Sequence, residues 1–145
     1  MSETDSNFDR LGVALDFAFN SLVGRLNNSL KEVGLPLNHA QFVILQRLFM
    51  NEGISQRGLA RDLGKDVAAI TRSLNHLEEN GYIERKALSG SRNGVFLTEK
   101  ARLDRKKINE AINIATKHAC SGITEEEYRN GIAFLSSIHN NLTAK

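Results

Sequence analysis

Between Val67 and Asn80 an apolar stripe of Val67, Ile70, Leu74 and Leu77 leaves other faces of a helix open, and those faces carry Ala68, Thr71, Arg72 and Asn75. Such side chains can read base-pair edges. Arg can bond guanine at two points, Asn can do the same with adenine, and Ala or the Thr methyl can touch a thymine methyl. For Arg72 the alternative is an intramolecular salt bridge to Asp66, Glu78 or Glu79. Other chemically capable residues form weaker patterns. The four histidines, His39, His76, His118 and His139, lack any metal-ligand spacing, so each reads as a surface or core-edge residue and no metal or other cofactor is expected. Cys120 is a redox-sensor candidate without a visible activating base. Glu125 to Glu127 are explained as a helix start. There is no Gly-rich phosphate loop, no Gly-x-Ser-x-Gly elbow and no His-Glu-x-x-His, which argues against an enzyme and leaves no catalytic residue to name.

Composition narrows the classes further. The chain has 145 residues, 41% of them hydrophobic, enough for one compact unit with a sizeable core. A formal net charge of +2 on 25% charged residues means that any duplex contact is a local basic patch rather than a basic coat. A single cysteine excludes an intramolecular disulfide framework and a four-thiolate zinc site, and fits a reducing compartment. The segment from Met1 to Arg10 is polar and acidic. No later stretch approaches the roughly 18 uninterrupted apolar residues of a membrane span, so a cytoplasmic protein without a membrane partner is expected.

The elements that must position the reading face follow from periodicity and punctuation. Phe8, Leu11, Leu15, Ala18, Phe19, Leu22, Val23, Leu26 and Leu30 recur at helical steps, predicting one long helix from Phe8 to Val33, stopped by Gly34 and the only proline, Pro36. Asn38 caps a second helix, His39 to Met50, with Phe42, Leu45, Leu48 and Phe49 on one face. Ser55 caps a third, Gln56 to Leu63, closed by Gly64, and Asp66 caps the fourth, Val67 to Asn80. Tyr82 to Ala87 and Val95 to Thr98 read as two strands around a Ser89 to Gly94 turn cluster. Thr98 caps a helix to about His118, and Thr124 with Glu127 forms a capping box for the last helix, lined by Ile132, Leu135, Ile138 and Leu142.

A short helix, a glycine turn, a helix with small and polar outward residues and then a hairpin is the order of a winged helix-turn-helix. The ordered set Leu37-Asn38-His39-Ala40-Gln41-Phe42, Ile54-Ser55-Gln56-Arg57-Gly58-Leu59-Ala60, Thr71 through Arg85, and Val95-Phe96-Leu97-Thr98-Glu99-Lys100 resembles the MarR family of transcriptional regulators. The resemblance covers about Leu37 to Arg102 tightly and the flanking helices in length and order. It implies a mainly α fold with a small β-hairpin: residues 1–36 an N-terminal dimerisation helix, 37–100 the winged DNA-binding lobe, and 101–145 C-terminal dimerisation helices, forming one interlocked domain. Two departures stand out. The family's wing carries Asp-x-Arg where this chain has Ser89-Gly90-Ser91 with Arg92 one residue later, and the usual Lys-Gly is Lys100-Ala101.

Carried over residue by residue, the resemblance implies that Ala68, Ala69, Thr71, Arg72 and Asn75 face the major groove, that Ser55, Gln56, Arg57 and Lys65 lie near phosphates, and that Arg92 sits on the wing near the minor groove. Arg85 is either structural within the wing or reaches a phosphate. Arg61, on a helix with Asp62, reads as a solvated charged face or a DNA contact alike, and the basic run from Arg102 to Lys107 reads as a solvated helical face. The terminal helices carry more apolar surface than a small lobe needs, so a homodimer is expected, the alternative being that they cover the back of their own domain. The partners implied are double-stranded DNA with a pseudo-palindromic operator and a small aromatic effector that relieves repression from a crevice between dimer helices and lobe. Phe17, Phe19, Phe42 and Phe49 are candidates to line that crevice or simply core; no ligand-binding residue is assigned. The rival readings are a winged-helix module for protein contacts without DNA binding, and a thiol-based redox regulator acting through Cys120.

Overall fold

The computed structural model describes residues 10–90 and 93–144. Helix α1 runs Arg10–Glu32; Phe8, the expected start, lies outside the described residues. Only the C-terminal part of α1 is covered by its own chain, through Leu26, Ser29 and Leu30. Gly34 adopts φ +77°, the left-handed region open to glycine, and the Leu35 N–H closes the turn on the Leu30 carbonyl at 3.0 Å. Helix α2, His39–Met50, begins with a reciprocal cap in which Asn38 Oδ1 accepts from the Gln41 N–H (3.0 Å) and Gln41 Oε1 from the Asn38 N–H (2.9 Å).

Strand β1 (Ile54–Ser55), helix α3 (Gln56–Leu63) and helix α4 (Val67–Glu79) follow. Ser55 Oγ caps α3 by accepting from the Gly58 N–H at 3.0 Å, Gly64 ends it at φ +61°, and Asp66 Oδ1 caps α4 through the Ala69 N–H at 2.7 Å. Ile70, Leu74 and Leu77 of α4 are buried in one cluster with Leu45, Leu48, Leu59, Tyr82 and Val95. Full burial of one such leucine contributes about 2 kcal/mol, so this cluster sets how α4 is rotated about its axis. Val67, expected in the same stripe, is instead 46% exposed, because it sits in the first turn beyond the reach of the packed elements.

Strands β2 (Ile83–Ala87) and β3 (Asn93–Leu97) form the expected antiparallel hairpin, Arg85 opposite Val95. Their bounds differ from the expectation: Tyr82 and Thr98 lie outside the strands, and Asn93 and Gly94, read as turn residues, belong to β3. Asn93 and Gly94 pair with Ala87 and Lys86 of β2, and β1, a two-residue strand too short to carry a period, adds itself to the other edge of β3 (Ile54 with Val95, Ser55 with Gly94) to give the order β1-β3-β2. Tyr82, fully buried, donates its hydroxyl to Asp104 Oδ2 at 2.9 Å across to helix α5 (Glu99–Ala119); burial and that carboxylate hold the phenol well above its ordinary pKa. Small residues Ala111 and Ala115 let α5 pack closely on α1, and Ala101, Ile108 and Ala111 share the core of the winged lobe. Helix α6, Glu125–Thr143, opens with the Thr124–Glu127 capping box and has no buried residue in its own chain.

Gly94 is where β1 and β3 approach most tightly: a Cβ there would lie 2.9 Å from the Gly53 carbonyl oxygen and 3.0 Å from the Phe96 ring. Backbone cannot give way as a flexible side chain can. Gly94→Ala is expected to cost about 1–3 kcal/mol through overpacking, seen as a lower Tm in thermal unfolding. A Tm equal to the parent's would contradict this account of the sheet.

Candidate nucleic-acid interface

With Ile70, Leu74 and Leu77 held in the core, the opposite face of α4 is solvent-exposed at Ala68, Arg72 and Asn75. Arg72 has no ion pair among the described residues, so the internal salt bridge weighed from sequence does not form. Thr71 is half-buried at the edge of this face. Its hydroxyl donates to the Val67 carbonyl at 2.8 Å and accepts from Gln56 Nε2, a bond that ties the first turn of α3 to α4. With its one O–H donor used, Thr71 has its methyl and a single lone pair left to offer a partner. Ala69, expected beside these residues, is half-buried on the flank, since a helix turns about 100° per residue and Ala69 lies that far round from Ala68.

Around this face Arg57 and Lys65 are exposed, while Ser55 is engaged in capping α3. Arg61 lies 3.8 Å from Asp62, which also pairs with Arg47 at 2.9 Å, making this a charged network on the surface of the lobe. Arg85 is tied to α4 rather than to the wing: its Nη2 donates to Asn75 Oδ1 at 2.8 Å and its Nε lies 3.8 Å from Glu78 Oε2. Arg92 lies outside the described residues.

Behind α4 is a crevice of about 520 Å³ between α1, α2 and the lobe, lined by Phe19, Val23, His39, Val43, Lys65 and Ser73 among others, with Ala69 and Ile70 on the α4 side. Of the four phenylalanines considered, only Phe19 lines it. Phe17 is 68% exposed on α1, Phe42 packs against the core, and Phe49 lies under the Arg105 guanidinium at 4.5 Å. The His39 ring meets Phe19 edge-on, ring centroids 5.9 Å apart, and its backbone N–H donates to Asn27 Oδ1 at 2.8 Å. Burial, and secondarily the charge of Lys65, hold its imidazole below the ordinary histidine pKa. Sequence reading left His39 as an unremarked surface or core-edge residue, because a crevice assembled from several elements has no linear signature.

This geometry agrees with the relatives of the chain. The model of the MarR family matches residues 37–94. YybA of Bacillus subtilis (strain 168), an uncharacterized HTH-type transcriptional regulator, is 30% identical over 112 residues, 74% of this chain and 73% of that protein. The chain belongs to the MarR family. It is a winged helix-turn-helix transcriptional regulator, and its relatives are regulators rather than enzymes. A MarR transcriptional regulator from Methanosarcina mazei Go1 shares the fold with a TM-score of 0.83 at 21% identity, over 96% of this chain and 99% of that one. CouR from Rhodococcus jostii RHA1, in a structure bound to p-coumaroyl-CoA, superposes with a TM-score of 0.77 at 25% identity over 88% and 90% of the two chains. Among the described residues of this regulator no helix is long and apolar enough to cross a membrane.

The depressed pKa of His39 has a consequence for stability. The unfolded imidazole, at its ordinary pKa, takes up a proton before the folded one does, so the contribution is complete above about pH 6.5 and is lost as pH falls below it. The Tm of the parent is therefore expected to drop more between pH 7 and pH 5 than that of His39→Gln. Parallel curves would count against a lowered pKa for this half-buried imidazole.

Proposed function

We propose that this MarR family regulator is a cytoplasmic repressor that binds a pseudo-palindromic duplex operator as a homodimer, placing α4 of each protomer in a major groove. The observation that carries the reading is the two-sided character of α4: Ile70, Leu74 and Leu77 anchor one side while Ala68, Arg72 and Asn75 stand open on the other. A major groove about 12 Å wide admits one helix, and a reading face needs short or bondable side chains. In this reading Thr71 offers its methyl to the groove, Ala69 lies at its margin, and Ser55, Gln56, Arg57 and Lys65 flank the phosphates; Arg92 belongs to the wing near the minor groove. Arg85 acts by holding α4.

Residues 37–100 serve as the DNA-binding lobe, and 1–36 with 101–145 as the dimerisation helices. Support for the dimer comes from apolar side chains without cover: Leu11, Val13 and Phe17 on α1, and Tyr128, Ile132, Phe134, Leu135 and Leu142 on α6, are all exposed in the single chain. A 19-residue helix with nothing buried is marginal in water and needs a partner surface. Two-fold symmetry then places half-sites about one turn, 10 bp, apart. The crevice behind α4, at about 520 Å³, has the size of a small-molecule site and takes a small aromatic effector. Ala69, Ile70 and Ser73 line it from α4, so an occupant touches the back of the helix whose front meets DNA.

Selection of bound sequences from a random duplex pool tests the reading and yields the operator. Arg72→Ala is expected to cost about 1–3 kcal/mol on that operator and to relax preference at one base pair, with a smaller loss on scrambled duplex. If it discriminates like the parent while remaining folded, Arg72 does not read bases. Deleting residues 132–145 is expected to abolish dimerisation and operator binding together, as followed by sedimentation and gel shift. A monomer that still binds tightly would refute the dimer reading.

A further inference from the structure

The walls of the crevice behind α4 are mostly apolar, and the charge on them has one sign. Lys65 brings a positive charge, His39 can acquire one, and the remaining polar side chains, Asn27, Asn38 and Ser73, are neutral; no carboxylate lines the crevice. Lys65 has no ion pair among the described residues. Asn27 and Asn38 each accept a backbone N–H, of His39 and of Gln41, and their amino groups have no hydrogen-bond partner among the described residues. A hollow of about 520 Å³ furnished in this way suits an apolar compound that carries a negative charge.

His39 is the lining group whose charge can change near neutral pH. Its ring packs edge-on against Phe19 of α1 and tilted against Phe42 of α2, centroids 5.9 and 6.3 Å apart, and neither ring nitrogen has a hydrogen-bond partner among the described residues. From α4 the crevice receives only Ala69, Ile70 and Ser73, which carry no charge, while Asp66 at the start of that helix caps the Ala69 N–H. The charge acting on the imidazole is that of Lys65, and together with burial it keeps the ring of the empty crevice neutral at neutral pH. Protonation there would place two positive charges around one apolar hollow with no carboxylate to offset them. An anion in the hollow removes that obstacle, because an opposite charge within about 4–6 Å favours the protonated ring. We propose that the crevice takes a small anionic aromatic compound and that its binding is coupled to uptake of a proton by His39: the empty crevice holds an imidazole, the occupied one an imidazolium. The proposal rests on the crevice being the effector site. Linkage fixes the direction of the pH dependence. Affinity for the anion is lowest where the ring is neutral in both states, rises as pH falls through the pKa of the occupied state, and levels off below that of the empty one.

The test uses the full-length protein and two fluorescent probes, 8-anilinonaphthalene-1-sulfonate, whose sulfonate stays charged at any pH used, and N-phenyl-1-naphthylamine, the same rings without the charge. The anion is expected to bind about tenfold more tightly at about pH 5.5 than at about pH 8, the ratio that a one-unit rise in the His39 pKa produces, and the neutral probe equally at both. His39→Gln is expected to hold the anion at the parent's weak, high-pH affinity throughout, although it retains His76, His118 and His139. Lys65→Gln weakens the anion at both pH values. Calorimetry at pH 7 in buffers of different ionisation enthalpy reads the proton itself: the parent takes up a fraction of a proton per anion bound and His39→Gln takes up none. Val43→Trp, which fills the crevice, abolishes binding of the anion; Ala69→Leu replaces it if it does not melt cooperatively. If the crevice-filling variant abolishes binding but the pH dependence survives in His39→Gln, the coupling is overturned while the crevice remains a ligand site. If the anion does not bind, or binds the crevice-filling variant equally, the proposal falls together with the effector site. Coupled binding that leaves operator affinity unchanged supports the proposal and counts only against the effector's control of DNA binding.

Discussion

Packing of Ile70, Leu74 and Leu77 against Leu45, Leu48, Leu59 and Tyr82 is the contact on which the rest of this molecule depends. A helix is free to rotate about its own axis until one side is buried, and the loss of even one large side chain from a dense core costs several times the thermal energy. Once those three side chains are buried, the positions of Ala68, Arg72 and Asn75 are settled without any further interaction of their own. The open face of α4 is thus a by-product of its apolar face. That is why a short, weakly helix-forming segment can present polar side chains with a defined orientation.

Hydrogen bonds then join this helix to its neighbours at points where apolar contact cannot reach. Gln56 bonds Thr71, Arg85 bonds Asn75, and Thr98 donates to the Gly81 carbonyl at 2.6 Å while capping α5. Glu52 accepts from both the Leu97 N–H (2.7 Å) and Arg102 (2.8 Å), closing the base of the hairpin onto α5. Each is modest alone, about 1 kcal/mol, and together they tie α3 to α4, α4 to the hairpin and the hairpin to α5. The lobe also shares its core with Leu30 of α1 and with Ile108 and Ala111 of α5.

The terminal helices divide the apolar surface differently. Near its C-terminus α1 is buried by its own chain, whereas its N-terminal half and all of α6 are not. The same helix is therefore core at one end and uncovered at the other, a distribution that a helix serving only to cover its own domain would not need.

Much of this was determined by the amino-acid sequence alone. Each helix boundary for which the sequence names a residue falls within two residues of that expectation, because Asn38, Ser55, Asp66, Thr98 and Thr124 satisfy N–H groups at the helix starts locally, and Gly34 and Gly64 adopt the positive φ that ends a helix. The winged order, the family and the exposed positions of Ala68, Arg72 and Asn75 follow from such short-range signals and from the 3.6-residue period. Tertiary structure alone decided the remainder, and each instance involves residues distant in the chain. Strand β1 exists because β3 offers it a partner about forty residues away. Ala69 turns from the exposed face of α4 toward a crevice completed by α1 and α2. Arg85 goes to Asn75 and Glu78 on α4, a destination across the lobe that periodicity cannot express. Local caps and periods are written within a few residues, whereas the destination of a long polar side chain is set by whichever acceptor the folded core brings within about 3 Å of it.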